Sequence, residues 1–258
     1  MKIKLTLFLL LLRMLSFAQY DADKLTALYN YSDKSVLLLD QLLTQKAIAQ
    51  YLTYNVKAQT RYKTDLLRMN TYLDSMVMNL PEEKYFKKKF LDIRSRWDIF
   101  KAFAEKNKAS EDDWKELVKM HESLHSALND LQARLMLLLT PEPNGQETLE
   151  RLRSANRKVA HAFLSAVILK LFAKPPVNID NQTDLIEKAS KKIHKTENYF
   201  AKDDNARFLL TKIKSDLNTF HLGFKNRYDP QVMLATYEKF NDKIFRIHDL
   251  IFQKTEFY

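Results

Sequence analysis

The sequence predicts an all-α protein, built as two tandem four-helix-bundle-like repeats with about eight helices in all. Three observations carry this expectation. Only two glycines and six prolines occur in 258 residues, whereas turn-rich β architectures depend on many of both. Apolar residues recur at spacings of three and four along almost the whole chain, the period of helices that bury one face. The order of these apolar stripes in the first half returns in the second. A hydrophobic share of 46% supplies a real core and excludes disorder as the main state.

The N-terminus reads as an export leader. Lys2 and Lys4 precede the apolar run from Leu5 to Leu12, and Ser16-Phe17-Ala18 is a small-x-small cleavage site, so cleavage after Ala18 is expected. The run is far short of the ~20 residues that span a bilayer. This places the mature chain outside the cytoplasm, in a bacterium in the periplasm. The expected division is a signal peptide at 1–18, a first bundle at 19–140 and a second at 141–258. Absence of cysteine excludes disulfides, a lipid-anchor thiol and c-type haem attachment. Asn181-Gln182-Thr183 is a glycosylation acceptor only in a eukaryotic secretory route. Loss of Lys2, Lys4 and Arg13 with the leader lowers the net charge from +10 to +7. That balance favours anionic ligands or surfaces. Lys87-Lys88-Lys89 and Lys191-Lys192 alternate with apolar core positions, so they read as solvated helix faces and not as a nucleic-acid groove.

Four stripes define the helices best. They are Phe86, Phe90, Ile93, Trp97 and Phe100; Trp114, Leu117, His121, Leu124, Leu128, Leu131 and Leu135; Leu210, Ile213, Leu217, Phe220 and Phe224; and Met233, Tyr237, Phe240, Ile244, Ile247 and Ile251. The breaks fall between them. Pro81 suits the first turn of a new helix. Ser110, followed by Glu111, Asp112 and Asp113, predicts an N-cap with acids at the positive helix end. Pro141-Glu142-Pro143-Asn144-Gly145 is the strongest boundary. Lys174-Pro175-Pro176 through Gln182 predicts a loop, and Asp229-Pro230 opens the last helix.

The halves correspond in order. Thr64-Asp65-Leu66-Leu67 returns as Thr183-Asp184-Leu185-Ile186. Phe90, Ile93, Trp97 and Phe100 match Leu210, Ile213, Leu217 and Phe220. Glu122, Leu124, Leu128 and Leu131 match Glu238, Phe240, Ile244 and Ile247. Register shifts fall only at predicted loops, where insertions are tolerated, as a duplication requires.

His121-Glu122-Ser123-Leu124-His125 is a literal H-E-x-x-H, the zinc-peptidase pattern in which two histidines one turn apart bind metal and the glutamate activates water. A catalytic zinc needs a third protein ligand. Downstream, Glu142, Glu147 and Glu150 surround a Pro/Gly loop, and no histidine follows until His161. The second half places Tyr237 and Asn241 opposite His121 and His125. His121 therefore reads as a packing residue, and neither metal nor cofactor is expected; metal at His121 and His125, with peptidase chemistry, is the minor alternative. The remaining histidines lie on different predicted helices, and the methionines fall at core spacing. No phosphate loop or nucleophile elbow is present.

Asp40-Gln41-Leu42-Leu43-Thr44-Gln45-Lys46, together with Trp97 and Phe100, resembles the first and third helices of the nitrate-sensor/pilus-chemoreceptor N-terminal family, the PilJ- or NarX-type periplasmic four-helix modules. Leu43, Thr44, Gln45 and Lys46 follow that family's pattern, while Asp40 and Gln41 depart from it. Asn156-Arg157-Lys158-Val159-Ala160-His161 is a weaker second copy in which Arg157 holds the arginine position. The resemblance spans about 30–137 and, more loosely, 149–254. It implies an oxyanion site at a bundle interface, with Thr44, Gln45, Lys46 and Arg157 as candidate ligand-binding residues. It also implies a free-standing binding module, since no signalling domain follows. The sequence thus leads to a non-catalytic periplasmic module for an unknown ligand, a small anion among the candidates. The alternative is a scaffold docking on a membrane protein; apolar stripes left over from the core would also permit a homodimer.

Overall fold

The computed structural model describes residues 21–106, 108–139, 143–172 and 181–254. The predicted leader, Pro141-Glu142 of the predicted boundary and most of the predicted loop after Phe172 lie outside these residues. The described chain forms α1 (Ala22–Tyr51), α2 (Val56–Met78), α3 (Lys84–Ala104), α4 (Glu111–Leu139), α5 (Pro143–Leu171), α6 (Gln182–His194), a short 3₁₀ turn (Glu197–Phe200), α7 (Asp204–Lys225) and α8 (Pro230–Lys254). The all-α expectation is met. No helix among the described residues is long and apolar enough to cross a membrane.

The helix starts have local causes. Ser110 Oγ accepts from the Asp113 amide at 3.2 Å while Asp113 Oδ2 accepts from the Ser110 amide at 2.9 Å, a reciprocal cap that satisfies two otherwise orphaned donors of α4. Asp229 Oδ1 accepts from the Gln231 amide, and Pro230 takes the first position of α8, where its missing N–H costs nothing. Two boundaries differ from expectation. Pro81 does not open α3, which begins at Lys84; by steering Leu80 out of the helical region it ends α2 instead. Pro143, Asn144 and Gly145 are not boundary loop but the first turn of α5, again with proline where it fits a helix start.

The predicted stripes face inward. Phe86, Ile93, Trp97, Trp114, Leu117, Phe220, Phe240, Ile244 and Ile247 are fully buried. Helices α1–α4 make one set and α5–α8 a second, and the sets meet along α1 and α5. The hydrogen bonds between these two helices join residues 115, 116 and 119 apart, a nearly constant difference, so α1 and α5 run parallel. Leu124 and Phe240 match at an offset of 116, so equivalent positions of the two halves meet side by side, as a pseudo-two-fold arrangement requires. Helices α4 and α8 flank the pair and run antiparallel to α1. Asp33 meets Gln132 and His248, whereas Gln50 and Tyr51 at the α1 C-terminus meet Ala109 and Asp229, the residues that lead into α4 and α8.

Helix α1 is therefore enclosed. Every residue from Ser35 to Gln50 is buried, including Asp40, Gln41, Thr44, Gln45, Lys46 and Gln50. A helix surrounded on all sides is ordinarily apolar all round, so each of these polar groups needs a partner or a purpose.

Gly223 in α7 marks the tightest approach in the second set. A Cβ there would stand 2.2 Å from Met233 Sδ and 3.3 Å from Met233 Cγ. Alanine gains ~1 kcal/mol in helix propensity, but displacing a buried thioether costs ~1–3 kcal/mol. Gly223→Ala is expected to lose about 1 kcal/mol in urea unfolding. In a Met233→Ala background the same change is expected to stabilise.

Candidate functional site

Three polar assemblies surround α1. The first is saturated. Asp33, fully buried, receives Arg153 Nη1 at 2.8 Å and Gln132 Nε2 at 3.0 Å on one oxygen, and His248 Nε2 at 2.8 Å on the other. Gln132 Oε1 accepts in turn from Arg153 at 2.6 Å. One side chain from each of α1, α4, α5 and α8 thus closes a network. Burial alone would push the Asp33 carboxyl up, but Arg153, His248 and Gln132 hold it below the ordinary range. Burial would likewise lower His248, yet hydrogen bonds to Asp249 and Asp33 raise it. The arrangement is a buried ion pair that ties the two helix sets together.

The second assembly lies two turns further along α1 and is not saturated. Asp40 Oδ1 stands 3.2 Å from His121 Nε2 and 4.0 Å from His125 Nε2, both on α4. Neither Asp40 Oδ1 nor His121 Nε2 has a well-formed hydrogen bond within the protein, and both amide atoms of Gln45 and of Asn241 lack one as well. Gln41 Nε2 donates to Asn156 Oδ1 at 3.0 Å, and Asn156 Nδ2 donates to Leu37 O. Burial pushes the Asp40 carboxyl up, and His121, His125 and Arg157 outweigh it to hold the group below the usual carboxylate range. His125 is pushed down to about 4, chiefly by burial. Its Nδ1 contacts the Asn129 side-chain amide at 2.9 Å.

The third assembly is a pocket of about 330 Å³ between α1, α2 and α3. Lys46, Lys63, Lys101 and Lys106 line it against a single acid, Glu105, with Tyr62 and Leu66 among its apolar walls. Lys46 is 4% exposed. Its ammonium donates to Lys106 O and lies 5.7 Å over the Tyr62 ring. Burial lowers its pKa to about 8, against the pull of Asp113.

The predicted ligand residues do not converge on one point. Lys46 opens to the pocket. Thr44 Oγ1 donates to Ala160 O at 2.8 Å across the α1–α5 seam. Gln45 is enclosed with no partner for either amide atom. Arg157, half-buried on α5, lies within electrostatic range of Asp40 and His125. His121 is buried as the stripe predicted, but beside a carboxylate and not in purely apolar surroundings. Sequence reasoning missed Asp33, Asp40 and His248. The signal was present: an acid every second turn inside a leucine-rich helix. Comparison of the chain with family models, with curated proteins and with solved structures gives no match.

Proposed function

We propose that the chain is an exported, non-catalytic binding module whose ligand is a small organic anion held in the α1–α2–α3 pocket. The observation that carries this reading is Lys46: a buried ammonium among three further lysines, facing a cavity with an apolar wall. An ammonium has three donors, and Lys106 O takes one, which leaves two for a carboxylate or phosphate. The apolar wall suits a ligand with a hydrocarbon or ring body. The leader residues and the basic balance of the chain agree with this reading.

The resemblance to nitrate-sensor modules would place the anion at Arg157 instead. Asp40 opposes an anion there, because a buried carboxylate already shares the space. The Lys46 pocket, in contrast, has cations in excess. The scaffold alternative rests on exposed Leu91 and Ile99 on the outer face of α3, a short stripe for a docking surface.

Anion binding is expected to draw a proton onto Lys46 and so to weaken as pH rises through about 8. Calorimetric titration with a panel of aromatic and aliphatic carboxylates, inorganic phosphate and nitrate checks this. Affinity at pH 9.5 should fall by up to roughly 30-fold from that at pH 7 if only the protonated amine binds. Lys46→Met should abolish binding or its pH dependence. Binding that survives Lys46→Met unchanged, or no heat with any member of the panel, would sink the proposal.

A further inference from the structure

We infer that the ligand of the Lys46 pocket carries a carbonyl group beside its acid, as oxo acids and aldehyde acids do, and that the Lys46 amine captures it as a reversible imine. This rests on the pocket reading above and narrows it from organic anions in general to those with an electrophilic carbon.

Lys46 stands apart from the other enclosed cations. Arg153 and His248 meet Asp33, Arg61 lies between Asp65 and Asp242, and Lys243 meets Asp216. Lys46 is 4% exposed, and its ammonium has only the backbone carbonyl of Lys106 as a hydrogen-bond partner among the described residues. The acid that acts on it from a distance, Asp113, is itself held by Lys106 and Ser110. The Tyr62 ring, 5.7 Å away, offers the charge partial compensation. A buried ammonium without a carboxylate is costly. The neutral amine is the cheaper state, and burial brings the pKa down to about 8.

The neutral state is also the reactive one. An ammonium has three donors and no lone pair. The amine keeps one N–H for Lys106 O and has a lone pair left for a group in the cavity. A lysine desolvated beside apolar walls and further cations is the ordinary nucleophile for carbonyl carbon. Tyr62 and Leu66 supply the walls, and Lys63, Lys101 and Lys106 the cations. Lys101 and Lys106 are already engaged by Glu105 and Asp113. Lys63, exposed on the pocket rim and in no ion pair among the described residues, is left for the carboxylate of the ligand.

The step balances without a co-reactant. The nitrogen electron pair forms a bond to the carbonyl carbon, the carbonyl π pair moves to oxygen, and a proton passes from nitrogen to that oxygen. The carbinolamine then loses its hydroxyl together with the second nitrogen proton, so one amine and one carbonyl give one imine and one water. Nothing is oxidised or reduced, and hydrolysis releases the ligand unchanged, as a binding module requires.

The test incubates the folded chain with para-formylbenzoate and cyanoborohydride, which fixes an imine as a stable secondary amine, and maps the modified lysines by mass spectrometry. The expected result is one adduct per chain, at Lys46, formed at least ~10-fold faster at pH 7 than at any other lysine. Its rate should level off above about pH 8, while an ordinary lysine goes on gaining to about 10. Lys46→Arg, shown by circular dichroism to fold, should form no adduct in the pocket. Labelling spread evenly over surface lysines, or Lys46 modified no faster than in the urea-unfolded chain, would overturn the proposal. Calorimetry with benzoate, which lacks the carbonyl, separates the two readings: benzoate binding that depends on Lys46 without any Lys46 adduct overturns imine capture alone and leaves the anion pocket standing.

Discussion

Asp33→Ala is expected to destabilise the folded protein by about 3–5 kcal/mol, the cost of stripping one partner from a buried ion pair. The substitution removes no large apolar surface. What it leaves behind is the mostly buried Arg153 guanidinium without its carboxylate and a fully buried imidazolium balanced only by the half-exposed Asp249. Chemical denaturation followed by circular dichroism measures the loss directly. A change below about 1 kcal/mol would mean the network behaves like an exposed pair, and the description of it as the tie between helix sets would fail.

The same network gives a pH signature with a definite sign. His248 has a raised pKa in the folded state, so its contribution is complete below about 6.5, the ordinary imidazole value, and is lost as pH rises through the higher folded value. Asp33 has a lowered pKa, so its contribution is complete above about 3.9 and is lost as pH falls through the lower folded value. The pair therefore stabilises most between roughly pH 4 and 6.5 and weakens on the alkaline side. In Asp33→Ala the alkaline loss should become shallower, because the His248 proton keeps only Asp249 of its two carboxylate partners.

These partners explain what the sequence did and did not reveal. The stripes of α3, α4, α7 and α8 were legible because each of those helices has a solvent side, which makes its buried side periodic. The cap at Ser110 and the start at Pro230 were legible because their causes lie within three residues. Helix α1 was opaque for the opposite reason. It is enclosed on every side, so Leu37, Leu38, Leu39, Leu42 and Leu43 point in all directions and leave no stripe. Its acids look like surface positions because their partners lie elsewhere in the chain: Gln132 is 99 residues away from Asp33 and His248 is 215 away. The H-E-x-x-H was plain, but its companion was sought downstream among Glu142, Glu147 and Glu150. Of these, Glu147 pairs with Arg151, and the carboxylate that meets the histidines is upstream at Asp40. Pairing Tyr237 with His121 suggested a neutral packing role, yet the two positions differ in their surroundings, since Tyr237 stacks on Phe163 while His121 meets Asp40.

Phe163→Ala is expected to cost about 3–5 kcal/mol, and the shape of the unfolding curve will say more than the size of the loss. Phe163 stacks on Tyr237 at 4.2 Å between ring centroids and meets Phe220 and Phe224 edge-on at 4.9 and 5.2 Å. It is the aromatic centre of the second helix set. On the same helix, Arg153, Asn156 and Ala160 bind α1 of the first set. Loosening the second core therefore shifts the helix that carries the seam. If seam and core act together, the substitution should lower one cooperative transition by roughly 6–20 °C, taking ~2–4 °C per kcal/mol for a chain of this size. Two resolved transitions, with only the lower one moved, would instead make the sets independent domains joined by a weak contact. The seam argues for the first outcome. Its amide hydrogen bonds and the Asp33 end of its ion pair are buried, and separating the sets would expose or orphan each of them, at a cost that neither set recovers alone.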